Sequence, residues 1–252
     1  MTDPEDSASN DREQPLIEHL VELRSRLLRS ILAVLAAFLA LAPFSKSLYS
    51  AVASPLIDRL PANASMIATE VASPFLVPFK LTIYVAVFVV MPYILYQMWA
   101  FVAPALYKKE KRVAYPLLLS SVVLFYAGIA FAFFLVFPLL FKFFTSVAPA
   151  GVTVMTDISH YLDFILKMFF AFGLAFEIPI ATILMVSAGI VSVKSLADKR
   201  PYIIVAAFVV GMLLTPPDVM SQIMLAVPIW ALFELGLFFS RRFAPKGDDA
   251  EE

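Results

Sequence analysis

Six continuous apolar runs, separated by charged or turn-rich breaks, constrain this chain more than any other feature it has. They fall at 27–44, 77–99, 116–141, 164–186, 202–214 and 219–239. A helix that crosses a bilayer needs ~17–25 mostly apolar residues, and uninterrupted runs exclude transmembrane strands, whose apolar residues alternate. Five runs reach that length. The run at 202–214 rises only about 20 Å at ~1.5 Å per residue. Because the hydrocarbon core is ~30 Å thick, that segment is either embedded in neighbours or surrounded by a thinned bilayer. Hydrophobic residues make up 61% of the 252 and charged residues 15%, against ~45–50% and ~25% in soluble domains. The expectation is an all-α integral membrane protein with six spans.

Composition also removes several kinds of chemistry. With no cysteine there are no disulfides, thiolate metal sites or cysteine nucleophiles. A net charge of −1 excludes a basic nucleic-acid binder. His19 and His160 fall on opposite sides of the expected membrane, no HExxH occurs, and no serine sits in a glycine-rich strand-to-helix turn. The expected catalytic residues, metal ligands and cofactors are therefore none.

Loops on the cytoplasmic side carry the excess of Lys and Arg. Arg12, Arg24, Arg26 and Arg29 precede the first run, and Lys108, Lys109, Lys111 and Arg112 join the second to the third. Lys194, Lys199 and Arg200 follow the fourth, and Arg241, Arg242 and Lys246 follow the last. The opposite loops hold only Lys46 and Arg59, with Lys142 at a boundary. Both termini are expected in the cytoplasm. Residues 1–15 and 243–252 read as disordered polar tails flanking one membrane domain at 16–242. The acidic start and the amphipathic stretch after it predict no cleavable signal peptide.

In that stretch Leu16, Ile17, Leu20, Val21, Leu23, Leu27 and Leu28 recur at helical spacing with Glu18, Glu22 and Arg26 between them. This predicts a helix lying along the membrane surface before it turns in. The first outward loop, 45–76, contains Pro55, Pro61 and Pro74 and reads as a folded cap. The second, 145–161, holds Pro149, Gly151 and Asp157. Thr215-Pro216-Pro217-Asp218 turns the chain between the last two runs, and Asp218 either caps the following helix or has a functional role. Pro92, Pro138, Pro179 and Pro228 interrupt four runs, and each reads as a kink stabilised by a neighbour.

Charges at membrane depth are costly, which makes them functional candidates. Lys80 and Lys167 lie near outer ends and can snorkel to the interface. Glu234 can reach water or pair with Arg241 or Arg242. Glu177 lies deep in the fourth run, so it must be neutral, hydrated or paired. Two functions suit such a chain. A proton-coupled secondary transporter would use broken helices and a buried Glu, but the two halves do not resemble one another as transporter repeats do. A receptor for polypeptides explains more: an aromatic-rich surface, isolated acids on the cytoplasmic face, and no evident substrate cavity.

Four strings then carry a resemblance: His19-Leu20-Val21-Glu22-Leu23-Arg24; Trp99 to Tyr107 leading into Lys108-Lys109-Glu110; Ala171-Phe172-Gly173 ahead of Phe176-Glu177; and Gly211-Met212-Leu213-Leu214-Thr215-Pro216-Pro217-Asp218. In order and spacing, from Gln14 to Arg242, the chain resembles TatC, the multispanning receptor family of the twin-arginine protein translocase. The resemblance implies six tilted helices in a concave, glove-like bundle in the bacterial cytoplasmic (inner) membrane. It implies recognition of twin-arginine signal peptides of folded precursors, and export driven by the proton-motive force together with TatA- and TatB-type single-span partners and further copies of the chain. It places Glu22 and Glu110 at the signal-peptide site with Arg24 and Phe101, makes Glu177 a polar contact for a partner helix, and marks Pro55 and Asp218 as structural or functional loop positions. On the residues alone, Glu22 can equally be the i,i+4 partner of Arg26, and Glu110 a member of its own charge run.

The charge asymmetry gives the first prediction. Reporter fusions after Ala244 and within 145–160 should report opposite sides of the membrane, and same-side labelling would overturn the six-span topology.

Overall fold

The computed structural model describes residues 4–57, 66–106, 111–147, 156–214 and 219–242. The backbone is helical almost throughout, and its helices are α1 (Pro4–Leu41), α2 (Ser45–Ile57), α3 (Ser73–Leu106), α4 (Lys111–Phe131), α5 (Phe137–Val147), α6 (Ile158–Ala175), α7 (Ile178–Ser187), α8 (Val193–Asp198), α9 (Arg200–Leu214) and α10 (Val219–Ser240). Five stretches are long and apolar enough to cross a membrane: His19–Val52, Ser73–Phe101, Pro116–Phe144, Ile158–Ser187 and Val219–Ser240. The short apolar run is α9, whose 15 residues still fall short of the bilayer core.

The amino-terminal region differs from expectation. No turn separates the amphipathic stretch at 16–28 from the first apolar run, because α1 is one helix of 38 residues that extends back to Pro4 through part of the segment read as a tail. Between Leu16 and Leu41 the chain offers neither Gly nor Pro to stop it, and its Leu, Ala, Arg and Glu are all good helix formers. At ~1.5 Å per residue the helix is about 57 Å long, so much of it projects beyond the bilayer. The chain bends instead at a single 3₁₀ turn, Ala42–Phe44, which contains Pro43.

The other prolines act in different ways. Ahead of Pro138 the helix widens into a π-bulge at Ala132–Val136, where the Phe137 amide donates to the carbonyl of Ala132; the wider turn relieves the clash a proline ring makes with the preceding turn. At Pro179 the fourth span breaks outright. α6 ends at Ala175 and α7 begins at Ile178, with Pro179 in its first turn, where a missing N–H costs nothing. α3 and α10 run through Pro92 and Pro228 as continuous helices.

At the end remote from the charged loops the expected cap is present as a small tie. Met66–Ile67 pairs in parallel with Thr156–Asp157, joining the segment before α3 to the segment before α6. Asp157 serves both sides of the joint. Its Oδ2 accepts from the Thr69 hydroxyl and amide at 2.7 and 2.9 Å, and its Oδ1 accepts from the amides of Ser159 and His160, capping α6. The Thr69 hydroxyl, the Thr69 amide and the His160 amide hold its carboxyl well below the usual carboxylate range. A depressed folded-state value makes this stabilisation fully present above the ordinary carboxylate range, and it fades only as pH falls through the lower folded value.

α1 packs on α3, α3 on α4 and α6, α4 on α6, and α10 on both α7 and α9. Lipid tails are as apolar as leucine, so close backbone approach must supply what the hydrophobic effect cannot. A Cβ on Gly128 would run into the Phe172 carbonyl, and one on Gly236 would come within 2.9 Å of the Pro179 Cα. These glycines set the α4–α6 and α10–α7 distances. The aromatic core lies between the same helices, with Phe125 and Phe172 fully buried and Phe137 stacked obliquely on Phe169 at 5.2 Å.

Gly128→Ala should therefore lower the thermal stability of the detergent-solubilised protein by roughly 1–3 kcal/mol, as overpacking does. Gly211→Ala, whose nearest contacts would be an ordinary 3.5 Å, should leave stability unchanged or raise it. Equal tolerance of both substitutions would overturn this account of the crossing.

Candidate functional site

On α1, residues 19, 22 and 26 share one stripe, and on α3 residues 93, 97 and 101 do the same. The two helices run antiparallel, so the stripes meet rung by rung. At the first rung the rings of His19 and Phe101 stack with centroids 4.1 Å apart and planes 20° from parallel. At the next, Nη1 of Arg26 donates to Oε1 of Gln97 at 3.0 Å, and Nε2 of Gln97 donates to the Tyr93 hydroxyl at 2.6 Å. Nε and Nη2 of Arg26 reach back along α1 to Oε1 of Glu22 at 2.8 and 2.6 Å.

This strip combines the properties that guanidinium recognition needs: a carboxylate, a stacked π surface, and burial that fixes their positions. The Glu22 side chain is 40% exposed and that of Arg26 21%, so the acid faces solvent while Gln97 beneath is buried. A carboxylate takes an arginine fork through paired, charge-assisted hydrogen bonds, and planar guanidinium groups also stack on aromatic faces.

Of the residues expected at the site, Glu22 and Phe101 lie on this strip. Arg24 is exposed and, two positions from Glu22, points to another side of α1. Glu110 and Asp218 lie outside the described residues, and Pro55 lies in α2. Gln97 and Tyr93 escaped the sequence reading, and His19 entered it only as a histidine and as part of a motif. Gln97 had left a signal, a lone amide within an apolar run, which a search confined to charged residues passes over.

Glu177 forms a second polar site. It falls at the two-residue turn between α6 and α7, inside the stretch Ile158–Ser187 as expected. Its Oε2 accepts a hydrogen bond from the Ser121 hydroxyl of α4, while its Oε1 is buried with no hydrogen-bond partner among the described residues. Beside this break a cavity of about 770 Å³ runs between α6, α7, α9 and α10, lined by apolar side chains such as Leu174, Ile178, Val210 and Phe233, with Lys167 also in its wall. Two ion pairs brace neighbouring helices. Lys80 pairs with Asp163 across α3 and α6, which adds a protein partner to the expected snorkelling. Glu234 turns to Arg200, not to Arg241 or Arg242, and receives its Nε and Nη2 at 2.6 and 2.8 Å.

Comparison with known proteins agrees with this architecture. Residues 18–228 match the family model described as Sec-independent protein translocase protein (TatC). The TatC protein of Haemophilus influenzae is 59% identical over 240 residues, 95% of this chain and 94% of that protein. The TatC of Azotobacter chroococcum is 58% identical over 241 residues, 96% of this chain and 94% of its own length. The TatC of Escherichia coli K12 is 56% identical over 239 residues, covering 95% and 93%. A crystal structure of the twin-arginine translocase receptor TatC superposes with a TM-score of 0.81 at 37% identity, covering 89% of this chain and 99% of the other.

The Glu177 geometry carries its own prediction. Ser121→Ala removes the hydroxyl from the buried carboxyl and should destabilise the protein by roughly 1–3 kcal/mol, the cost of an unsatisfied buried group. Thermal unfolding in detergent measures it, and a Ser121→Ala protein as stable as wild type would show that the hydroxyl does not support Glu177.

Proposed function

Since the chain belongs to the TatC family of Sec-independent protein translocase proteins, we propose that its described strip is where it receives the twin-arginine signal peptides of folded precursors. The chain is a core subunit of the twin-arginine translocase, a multi-pass protein of the bacterial cytoplasmic membrane that exports such precursors with energy from the proton-motive force. Membership in a protein-translocase family replaces the carrier reading.

The observation that supports the strip as the receptor site is the juxtaposition of Glu22 with the His19–Phe101 stack at the end of the molecule that bears the charged loops. Two arginines need two acids, and Glu110 supplies the second. Arg24 contributes by shaping the potential of this face. In this proposal six helices cross the membrane, α9 among them, in a concave bundle with both termini cytoplasmic. Pro55 shapes the outer cap, and Asp218 holds the turn into α10. Glu177 meets a TatA- or TatB-type partner helix through the oxygen that has no hydrogen-bond partner among the described residues. A polar side chain offered at that depth gains because hydrocarbon gives the carboxyl no alternative.

Glu22→Gln and Glu110→Gln should each weaken binding of a labelled signal peptide to the solubilised protein by about tenfold, a loss of ~1–2 kcal/mol for a charge-assisted bond at a wet surface. Binding to wild type should fall as salt rises. Glu177→Gln should leave signal-peptide binding intact while reducing crosslinks to the single-span partners. Unchanged affinity in both acid variants would place recognition elsewhere.

A further inference from the structure

Glu22 already holds an arginine. Both Nε and Nη2 of Arg26 donate to its Oε1, at 2.8 and 2.6 Å, and the third bonded nitrogen, Nη1, is fixed to Gln97 at 3.0 Å. Among the described residues nothing donates to Oε2 of Glu22. The anchor beneath is firm, because Gln97 is only 5% exposed and its amide group is oriented by the bond it donates to Tyr93. Among the described residues, an arriving peptide therefore meets a carboxylate with one oxygen open and the other taken by the same chemical group it brings.

Resting on the reading that Glu22 receives a peptide arginine, we infer that Arg26 is a built-in competitor that occupies Glu22 in the resting receptor and is displaced from it by the signal peptide. A fork-on-fork arginine–carboxylate pair uses both oxygens, so the incoming guanidinium completes its pair only when Arg26 lets go of Oε1. Release is cheap. A part-exposed i,i+4 ion pair is worth a bias of roughly two- to fivefold, and Arg26 keeps Gln97 as a partner after it leaves. The cost falls on forked ligands. Lysine brings a point charge that can take Oε2 alone, so it does not need Arg26 to leave. Arg26 thus sets a cost that an arriving arginine bears and a lysine does not, a role distinct from that of Glu22 itself.

The test is equilibrium binding of two labelled synthetic signal peptides, one Arg-Arg and one Lys-Lys, to the full-length solubilised protein. Arg26→Gln should bind the Arg-Arg peptide about two- to threefold more tightly and improve Lys-Lys binding less than that, so that the preference for Arg-Arg grows. Arg29→Gln removes an equal charge from the same helix without touching Glu22, and it should shift both peptides alike and leave the ratio unchanged. Arg26→Lys keeps the charge but loses the fork on Glu22, and should widen the ratio by a smaller factor; it carries the test if Arg26→Gln does not fold. Weaker Arg-Arg binding in Arg26→Gln, or a ratio that moves no more than in Arg29→Gln, overturns the inference while a loss in Glu22→Gln leaves the receptor reading standing. If Glu22→Gln has no effect, the receptor reading fails and the competitor falls with it.

Discussion

The structure depends on holding helices together where there is no water to drive them together. In hydrocarbon, one apolar side chain gains little by leaving lipid for another. The chain responds with contacts that lipid cannot imitate. Gly128 and Gly236 let backbones approach until a single added methyl group would collide, and dispersion, weak for each atom pair, accumulates over such close surfaces. Leu27, Ile31, Leu35 and Leu39 on α1 stay exposed because facing lipid costs them nothing.

The same absence of water governs where polar groups sit. Several of them are placed at an interruption of the helical pattern or at a helix end. Glu177 sits in the break that Pro179 makes, where Ser121 can reach it. Arg200 and Glu234 join two helices at the end of the short α9, and this two-point pair fixes a segment whose length alone would let it shift along the membrane normal. Asp157 ties Thr69 to the start of α6, with two hydrogen bonds from Thr69 and two from the α6 amides. The carboxylates thus locate the joints of the fold, while the apolar stretches between them act as stiff rods.

Much of this was legible in the sequence because hydropathy reports burial in a bilayer almost directly. The long spans near 77–99, 116–141 and 219–239 fall within the observed crossing stretches, and the shortness of the run at 202–214 follows from counting residues. Legibility failed where the outcome depended on partners far along the chain. Pro138 and Pro179 look alike in sequence, yet one produces a π-bulge and the other a break. Helix α1 was divided in two by the change from amphipathic to apolar pattern, although a pattern change does not end a helix that lacks a stop signal. Glu22 was readable as an i,i+4 partner of Arg26, but the 71-residue separation between Arg26 and Gln97 left no local trace, and with it went the buried anchor that gives the pair its direction.

On the proposal that Glu22 receives a peptide arginine, these arrangements make recognition both selective and reversible. Were the acid as buried as Gln97, removing a peptide arginine would strand an unpaired charge at a cost of several kcal/mol, and cargo would dissociate slowly. Glu22 instead stands half in water on a helix that projects past the bilayer, where each ion pair is worth roughly 1 kcal/mol or less. Selectivity then cannot come from the strength of one contact. It must come from geometry shared among several: a fork that only arginine offers, and a stack of His19 on Phe101 that presents a flat face. The anchoring of Arg26 through Gln97 to Tyr93 keeps that geometry fixed without deepening the well, which suits a receptor that must hold a signal sequence long enough to assemble its partners and then release it.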